Sequence, residues 1–253
     1  RQGRSPIEDG TGTIIDHADI RRMLTVMKAE TFAARAIALD CAVAIDMETA
    51  TEAPEWAARA ALLTPIAKAF GTDTGIKVAD LGVQVHGGMG YIEETGAAQY
   101  LRDVRVTAIY EGTNGIQAMD LVARKLMDGG EAAHALLDEI EARAEAARAR
   151  LPDLAEPVWQ ASETLREALD WMLAATDLNQ RFAGATPFLA GFARVLGGHY
   201  HLAAAMAEDS AGARTHLARF YITRLLPEHQ GLLAHATSGA DGLYALSPED
   251  LSA

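Results

Sequence analysis

Two short stretches hold the residues whose types and spacing could do chemistry. The first is Gln84-Val85-His86-Gly87-Gly88-Met89-Gly90-Tyr91, with three glycines in four consecutive positions. Glycine lets a backbone approach a ligand closely and present its N–H groups. Two standard phosphate signatures do not fit. A P-loop needs Gly-Lys-Ser/Thr, and no lysine is here; the pattern G-x-G-x-x-G would need a glycine where Glu93 stands, and it would follow a strand. The same glycines could instead simply end a helix. The second stretch is Ile109-Tyr110-Glu111-Gly112-Thr113-Asn114-Gly115-Ile116-Gln117, where Glu111 is a lone acid beside apolar neighbours. A loop carboxylate is ordinarily solvated. Held in a dry apolar pocket, its pKa rises towards neutrality and it becomes a useful general base. At the level of residue types both readings stand.

The elements that must position these loops read as helices. Asp16 or Asp19 can cap a helix running to about Thr49, with Ile20, Leu24, Met27, Ala34, Ala38, Cys41 and Ile45 as its apolar stripe. Pro54 opens a second helix, which Pro65 is expected to bend and Gly71 to Gly75 either to kink or merely to loosen. Its period resumes at Ile76 and must stop at Gly87-Gly88. Gly87 to Gly96 is then loop, Ala97 to Val104 a short helix, and Tyr110 to Gly115 a second loop. Read alone, Asn114-Gly115 after Val106-Thr107-Ala108-Ile109-Tyr110 suggests a hairpin. The helical spacing of Ile116, Met119, Ala123 and Leu126 favours a helix start, with Thr113 as N-cap. Beyond Gly129-Gly130, Ala-rich helices are expected at about 131–150, 156–178, 183–208 and 211–236, punctuated by Pro152, Pro157, Pro187 and Gly197-Gly198. Ser238 to Ala253 reads as a loosely packed tail. The fold class is all-α: an up-down helical bundle over 1–129 followed by a second helical bundle over 130–253.

Composition agrees with that class and narrows the partners. Of the 253 residues 49% are apolar but only 6% aromatic, an Ala-rich balance that favours helix over sheet. A net charge of −13 argues against a nucleic-acid groove, and the only cysteine, Cys41, reads as a small buried thiol. No apolar run is long enough to span a bilayer, and the first residues lack the apolar core of a signal peptide, so a cytoplasmic location is expected. Glu131-Ala132-Ala133-His134 has the E-x-x-H spacing of di-iron bundles, but no second copy accompanies it and no metal is expected. His199, His201 and His229 are read as surface or capping residues.

Taken together, the two loops, with Tyr100-Leu101-Arg102-Asp103 between them, closely resemble the C-terminal helical domain of the acyl-CoA dehydrogenase family in letters, order and spacing. Arg21-Arg22-Met23-Leu24 and Ala67-Lys68-Ala69-Phe70-Gly71-Thr72-Asp73 resemble it too. Arg181 to Pro187, Leu225-Leu226-Pro227 and Gly231-Leu232-Leu233 resemble the extra helical domain of a larger subgroup, which includes the 3-methylmercaptopropionyl-CoA dehydrogenases. The resemblance implies that Glu111 is the base taking the α-proton of an acyl-CoA thioester. It sets Gly112 and Tyr110 against the substrate, with the Glu111 N–H on the thioester carbonyl. Gln84, Val85, His86, Gly87 and Gly88 would meet the adenine-diphosphate part of an FAD bound mainly to a neighbouring subunit. Thr113 would be a further FAD contact. Gly115 stands where many relatives have Gln and would offer backbone only.

It implies also a 2-enoyl-CoA product, an electron-transferring flavoprotein as acceptor, and a homodimer or tetramer. Developing enolate charge would be stabilised by hydrogen bonds to the thioester oxygen. The family's N-terminal helical and middle β-domains have no counterpart in these residues, so the chain is expected to be a C-terminal fragment, inactive by itself. Arg1 lies close to where relatives carry an FAD-binding arginine. The rival reading is a catalytically silent helical scaffold, or a DNA-binding relative of the same fold.

Overall fold

The computed structural model describes residues 5–208 and 212–252; Arg1 lies outside them. No β-strand occurs among the described residues. The helix α1 (Ala18–Thr51) starts after a 3₁₀ turn, Ile14–Asp16. Neither Asp16 nor Asp19 caps it: His17 is the N-cap residue, and Asp16 instead accepts the Gly12 N–H (2.8 Å) and the Thr11 hydroxyl (3.0 Å). The buried face of α1 is Met23, Val26, Ala29, Glu30, Ala33, Ile37, Cys41 and Ala44. Of the expected stripe only Cys41 belongs to it, and Ile45 is exposed. Apolar residues surround most of this helix, so period alone does not choose an inward side. Packing against its neighbours does.

The helix α2 (Pro54–His86) opens on its proline and runs unbroken through Pro65, Gly71 and Gly75. It pairs with α1 and carries the one-turn α3 (Gly88–Tyr91) and then α4 (Ala97–Arg105) along its C-terminal half. The short α5 (Asn114–Asp120) continues into a π-helical turn, Leu121–Lys125. After Gly129 and Gly130, both left-handed, come α6 (Glu131–Ala147) and α7 (Pro152–Ala174), with α7 opening on Pro152. Next are α8 (Leu178–Met206), α9 (Ala213–Arg224) and α10 (Glu228–Thr237). The helix expected over 211–236 is thus two, divided at Leu225-Leu226-Pro227, where proline cannot continue the ladder. By contrast, Pro157 and Pro187 lie inside α7 and α8 and end nothing.

α8 is the axle of the molecule, buried on every side over most of its length and packed against helices from both halves of the chain. Small residues make this possible. A Cβ at Gly184 would stand 2.1 Å from the Ala236 carbonyl, and one at Gly197 2.1 Å from the Tyr221 hydroxyl. Gly197-Gly198 therefore marks close helix packing inside α8. One apolar cluster, including Ile37, Leu63, Leu121, Leu136, Phe188, Phe192 and Leu233, is continuous across Gly129-Gly130.

Ion pairs cross the same line. Glu30 on α1, 1% exposed, meets Arg194 on α8 at 2.8 Å and Lys77 on α2 at 2.8 Å. Burial alone would raise the Glu30 pKa; Arg194 and Lys77 bring it below its ordinary value. Arg59 joins Asp40 and Glu139, each at 2.7 Å, and the Tyr200 hydroxyl donates to Asp40. His199, whose Nε2 lies 3.7 Å from Glu139, and the Arg59 guanidinium bonded to that acid hold its carboxyl down at about 2 against its burial. His199, His201 and His229 are all buried, at 0%, 1% and 5% exposure, rather than at the surface. In a helix covered all round, as α8 is, a histidine has no outer face to occupy.

Candidate active-site loops

The Glu111 loop is made by two successive left-handed residues. A 3₁₀ turn, Val106–Ala108, ends the run after α4, and the Ile109 and Tyr110 amides both close back onto the Val106 carbonyl at 2.9 and 3.1 Å. Glu111 (φ +54°) and Gly112 (φ +79°) then reverse the chain. For a glutamate this is an uncommon backbone, costing roughly 1–2 kcal/mol, and it persists only where its surroundings enforce it. Thr113 is extended and caps α5, its hydroxyl accepting the Ile116 N–H at 3.3 Å. The hairpin reading of Asn114-Gly115 fails and the helix-start reading holds. Asn114 is spent on contacts that begin a helix against α2.

Those contacts are specific. Lys68 Nζ donates to the Gly112 carbonyl (2.7 Å) and to Asn114 Oδ1 (2.9 Å). Asn114 Nδ2 reaches Asp73 Oδ1 at 2.7 Å and Thr72 Oγ1 at 2.9 Å. Desolvation raises the Asp73 pKa, opposed by Asn114, Lys68 and Arg105. From the other side, Gln117 Nε2 donates to the Glu111 carbonyl at 3.1 Å. Sequence reading passed over Lys68, Thr72, Asp73 and Gln117 as site-shaping residues. The available signal was faint: Lys68 and Thr72 share a helix face at i,i+4.

The side chain of Glu111 is exposed, as are Ile109, Tyr110 and Ile116, each 53% accessible. The chain by itself does not enclose its acid in a dry pocket. It offers the acid on an open apolar surface.

The other loop sits at the far end of the same helix. Gly87 (φ +62°) closes α2, its N–H bonding the Gln84 carbonyl at 3.1 Å, and His86 Nδ1 pairs with the Gly82 carbonyl at 2.8 Å. Beyond Gly87 the chain is not plain loop but forms the one-turn α3 and a 3₁₀ turn, Glu93–Thr95. Gly90 allows this: a Cβ there would stand 2.3 Å from the Val83 carbonyl. Arg102 pairs with Glu93 at 2.7 Å and ties the segment to α4. Gln84, His86, Gly87 and Gly88 are exposed and Val85 is partly covered, with open space where side chains of the two glycines would project. Lys68 to Asp73 and Gly87 are 14 to 19 residues apart on one helix. At 1.5 Å per residue they stand roughly 20–30 Å from each other. The structure gathers Tyr110, Glu111, Gly112, Thr113 and Gly115 in one place and sets the Gln84–Gly88 group well away.

Among the described residues no cluster of three or more His, Cys, Asp and Glu side chains could hold a metal. His134, of the E-x-x-H, lies beside Arg166 (3.3 Å) and Asp170 (3.5 Å). No helix among these residues is long and apolar enough to cross a membrane.

An all-α fold with a capped, left-handed Tyr-Glu-Gly-Thr loop defines a class. Residues 7–127 match the model for "Acyl-CoA dehydrogenase, C-terminal domain", and residues 136–247 that for "Acetyl-CoA dehydrogenase C-terminal like". The chain belongs to the acyl-CoA dehydrogenase family and comprises its C-terminal helical domains. Among individual proteins, it is 42% identical over 187 residues to the 3-methylmercaptopropionyl-CoA dehydrogenase of Ruegeria pomeroyi, covering 70% of this chain and 32% of that protein. It is 39% identical over 132 residues to a butyryl-CoA dehydrogenase of Syntrophomonas wolfei, covering 50% and 22%. In fold it is similar to Caenorhabditis elegans ACDH-11, solved in complex with C11-CoA, with TM-score 0.72 and 20% identity over 94% of this chain and 42% of that one. The chain thus spans about a third of the length of the first of these relatives.

Proposed function

We propose that this chain supplies the base-bearing helical part of an FAD-dependent acyl-CoA dehydrogenase, with Glu111 removing the α-proton of the thioester. The observation that carries the proposal is the backbone of Glu111, a non-glycine residue in the left-handed region (φ +54°) immediately before a capped helix. Strain of this kind at a polar residue points to a function that needs the side chain in one place. The exposed apolar side chains around the acid suit the chemistry: once covered, such a surface excludes water and raises the carboxyl pKa.

The residues divide the work. The α C–H bond breaks, its proton passes to the Glu111 carboxylate, and the electron pair forms the new C=C bond of the 2-enoyl-CoA. The Glu111 N–H would hold the thioester oxygen, where negative charge develops. Tyr110 and Gly112 would flank the acyl chain. The β-hydrogen would leave with its electron pair, a two-electron acceptor being the chemistry that bound FAD would supply. Thr113 and the backbone of Gly115 fit contacts to it near the base. Gln84, Val85, His86, Gly87 and Gly88 fit its adenine-diphosphate end, because a ligand can approach both glycines unobstructed. The roughly 20–30 Å between the two groups along α2 favours two flavins related by a subunit interface, and hence a homodimer or tetramer. Residues 1–129 would carry these loops and 130–253 would buttress them. An electron-transferring flavoprotein is the proposed acceptor and the cytoplasm the proposed location.

The test is anaerobic bleaching of the flavin by acyl-CoA in the intact enzyme that contains these residues. Glu111→Gln should slow bleaching by roughly 10²- to 10⁴-fold, the usual worth of a general base. An unchanged rate ends the assignment.

A further inference from the structure

The strained turn at Glu111 and Gly112 leaves two backbone carbonyls pointing away from regular structure. Each is taken by a side chain from a different helix. Gln117 on α5 donates to the Glu111 carbonyl at 3.1 Å, and Lys68 on α2 donates to the Gly112 carbonyl at 2.7 Å. Lys68 is half-buried and also bonds Asn114 Oδ1, whose amide is fixed in turn by Thr72 and Asp73. Gln117 closes the remaining room: a Cβ at Gly112 would stand 3.1 Å from Gln117 Nε2. The Glu111 carboxylate itself lies free at the surface, so what fixes its direction is the peptide on either side of it.

We infer that Lys68 and Gln117 are positioning residues for the base, a two-sided clamp that holds Glu111 in its left-handed conformation. This rests on Glu111 being the base. Without the clamp the turn is free to relax towards ordinary backbone, and the carboxylate swings away from the carbon it must reach. The clamp holds geometry rather than substrate, so its loss falls on the chemical step and not on acyl-CoA binding. The positive charge of Lys68 is shared between a carbonyl and an amide oxygen, with Asp73 as the acid nearest to this network and Arg105 as its other cation. An arginine can replace its donors; a methionine of similar length cannot.

The experiment compares Lys68→Met, Lys68→Arg and Gln117→Met with Glu111→Gln in the intact flavoenzyme, following kcat, KM for acyl-CoA and the anaerobic bleaching rate. Amide hydrogen exchange of residues 110–114 is measured in parallel. Lys68→Met and Gln117→Met should each lower kcat and bleaching by roughly 10- to 100-fold, the scale of an ångström-sized misplacement. KM should stay within about twofold, and Lys68→Arg should recover a large part of the rate. Exchange at Gly112 and Thr113 should quicken in the two methionine variants. If Glu111→Gln is slow while both methionine variants bleach at the parental rate, the clamp is refuted and the base survives. A loss expressed in KM alone also refutes it. If Glu111→Gln bleaches normally, the base assignment fails and the clamp with it. Should Lys68→Met not fold, Gln117→Met, which removes one side chain from a short outer helix, decides alone.

Discussion

Arg194→Met should destabilise the chain by about 3 kcal/mol, because it strands a buried carboxylate. In the native structure one guanidinium nitrogen of Arg194 lies 2.8 Å from Glu30 and another 2.8 Å from Glu228. The Glu228 pair is half open to solvent, its acid side chain 46% exposed. Such contacts are worth about 0–1 kcal/mol. Glu30 is different: it is 1% exposed, and among the described residues Lys77 is the cation left beside it once Arg194 is gone. Breaking a buried pair costs about 3–5 kcal/mol, and the surviving Lys77 contact places this one at the lower end. At roughly 2–4 °C per kcal/mol for a chain of this size, the melting temperature should fall by about 6–12 °C. The double variant Glu30→Gln, Arg194→Met removes the stranded charge and should recover about half of the loss or more. Urea titration followed by tryptophan fluorescence suits the measurement, since Trp56 reports on α2 and Trp159 and Trp171 on α7. A single variant costing under about 1 kcal/mol, or a double variant no more stable than the single, would refute the reasoning that Arg194 neutralises a buried charge.

Acid should loosen the same region. Burial lowers the His201 pKa from the usual 6.5 to about 4, partly opposed by the Ala29 carbonyl and Glu30. Above pH 6.5 the ring is neutral in both states; between 6.5 and 4 only the unfolded chain takes up the proton, so stability falls as pH drops through that window. His201→Gln should flatten the slope of urea-derived stability against pH there, and an unchanged slope would exclude His201 as its source. Gly197→Ala should cost about 1–3 kcal/mol by overpacking α8 against Tyr221, read as a lowered urea midpoint; a neutral result would mean that α9 can move aside.

Much of the helical order was legible because it is written locally. Proline at the first position of α2, glycine after α2, and a threonine before α5 each act on their own neighbours, and each marked a true boundary, whereas α7 starts on Pro152, ahead of the start expected near 156. The features that escaped are tertiary. The inward side of α1 depends on which of its several apolar faces α2 and α8 cover. Three histidines are buried because α8 and the segment around α10 are enclosed, and nothing in a histidine's immediate sequence reports that. Lys68 and Asn114 lie 46 residues apart, and no periodicity links a helix face to a loop at that distance. Glu111 was legible as an acid in a telling motif, and its exposure was one of the two readings left open, whereas its left-handed backbone was not legible.

That exposure bears on how the two loops operate. A base enclosed by its own chain would need only local packing, but Glu111, the proposed base, stands on an apolar face and becomes dry only when something covers it. Its placement must then be exact before the cover arrives, since no surrounding wall corrects it. A long unbroken helix meets this need well. α2 carries Lys68, one side of the proposed clamp, and the glycine loop at its C-terminus, so their separation is set by helical rise rather than by flexible chain. α2 is held in turn by Lys77 and Arg59, whose acid partners sit on α1 and α6. The charged contacts between helices are therefore part of the same device as the clamp. Loosening Glu30 or Asp40 should displace both loops together, whereas loosening Lys68 should displace only the one bearing Glu111.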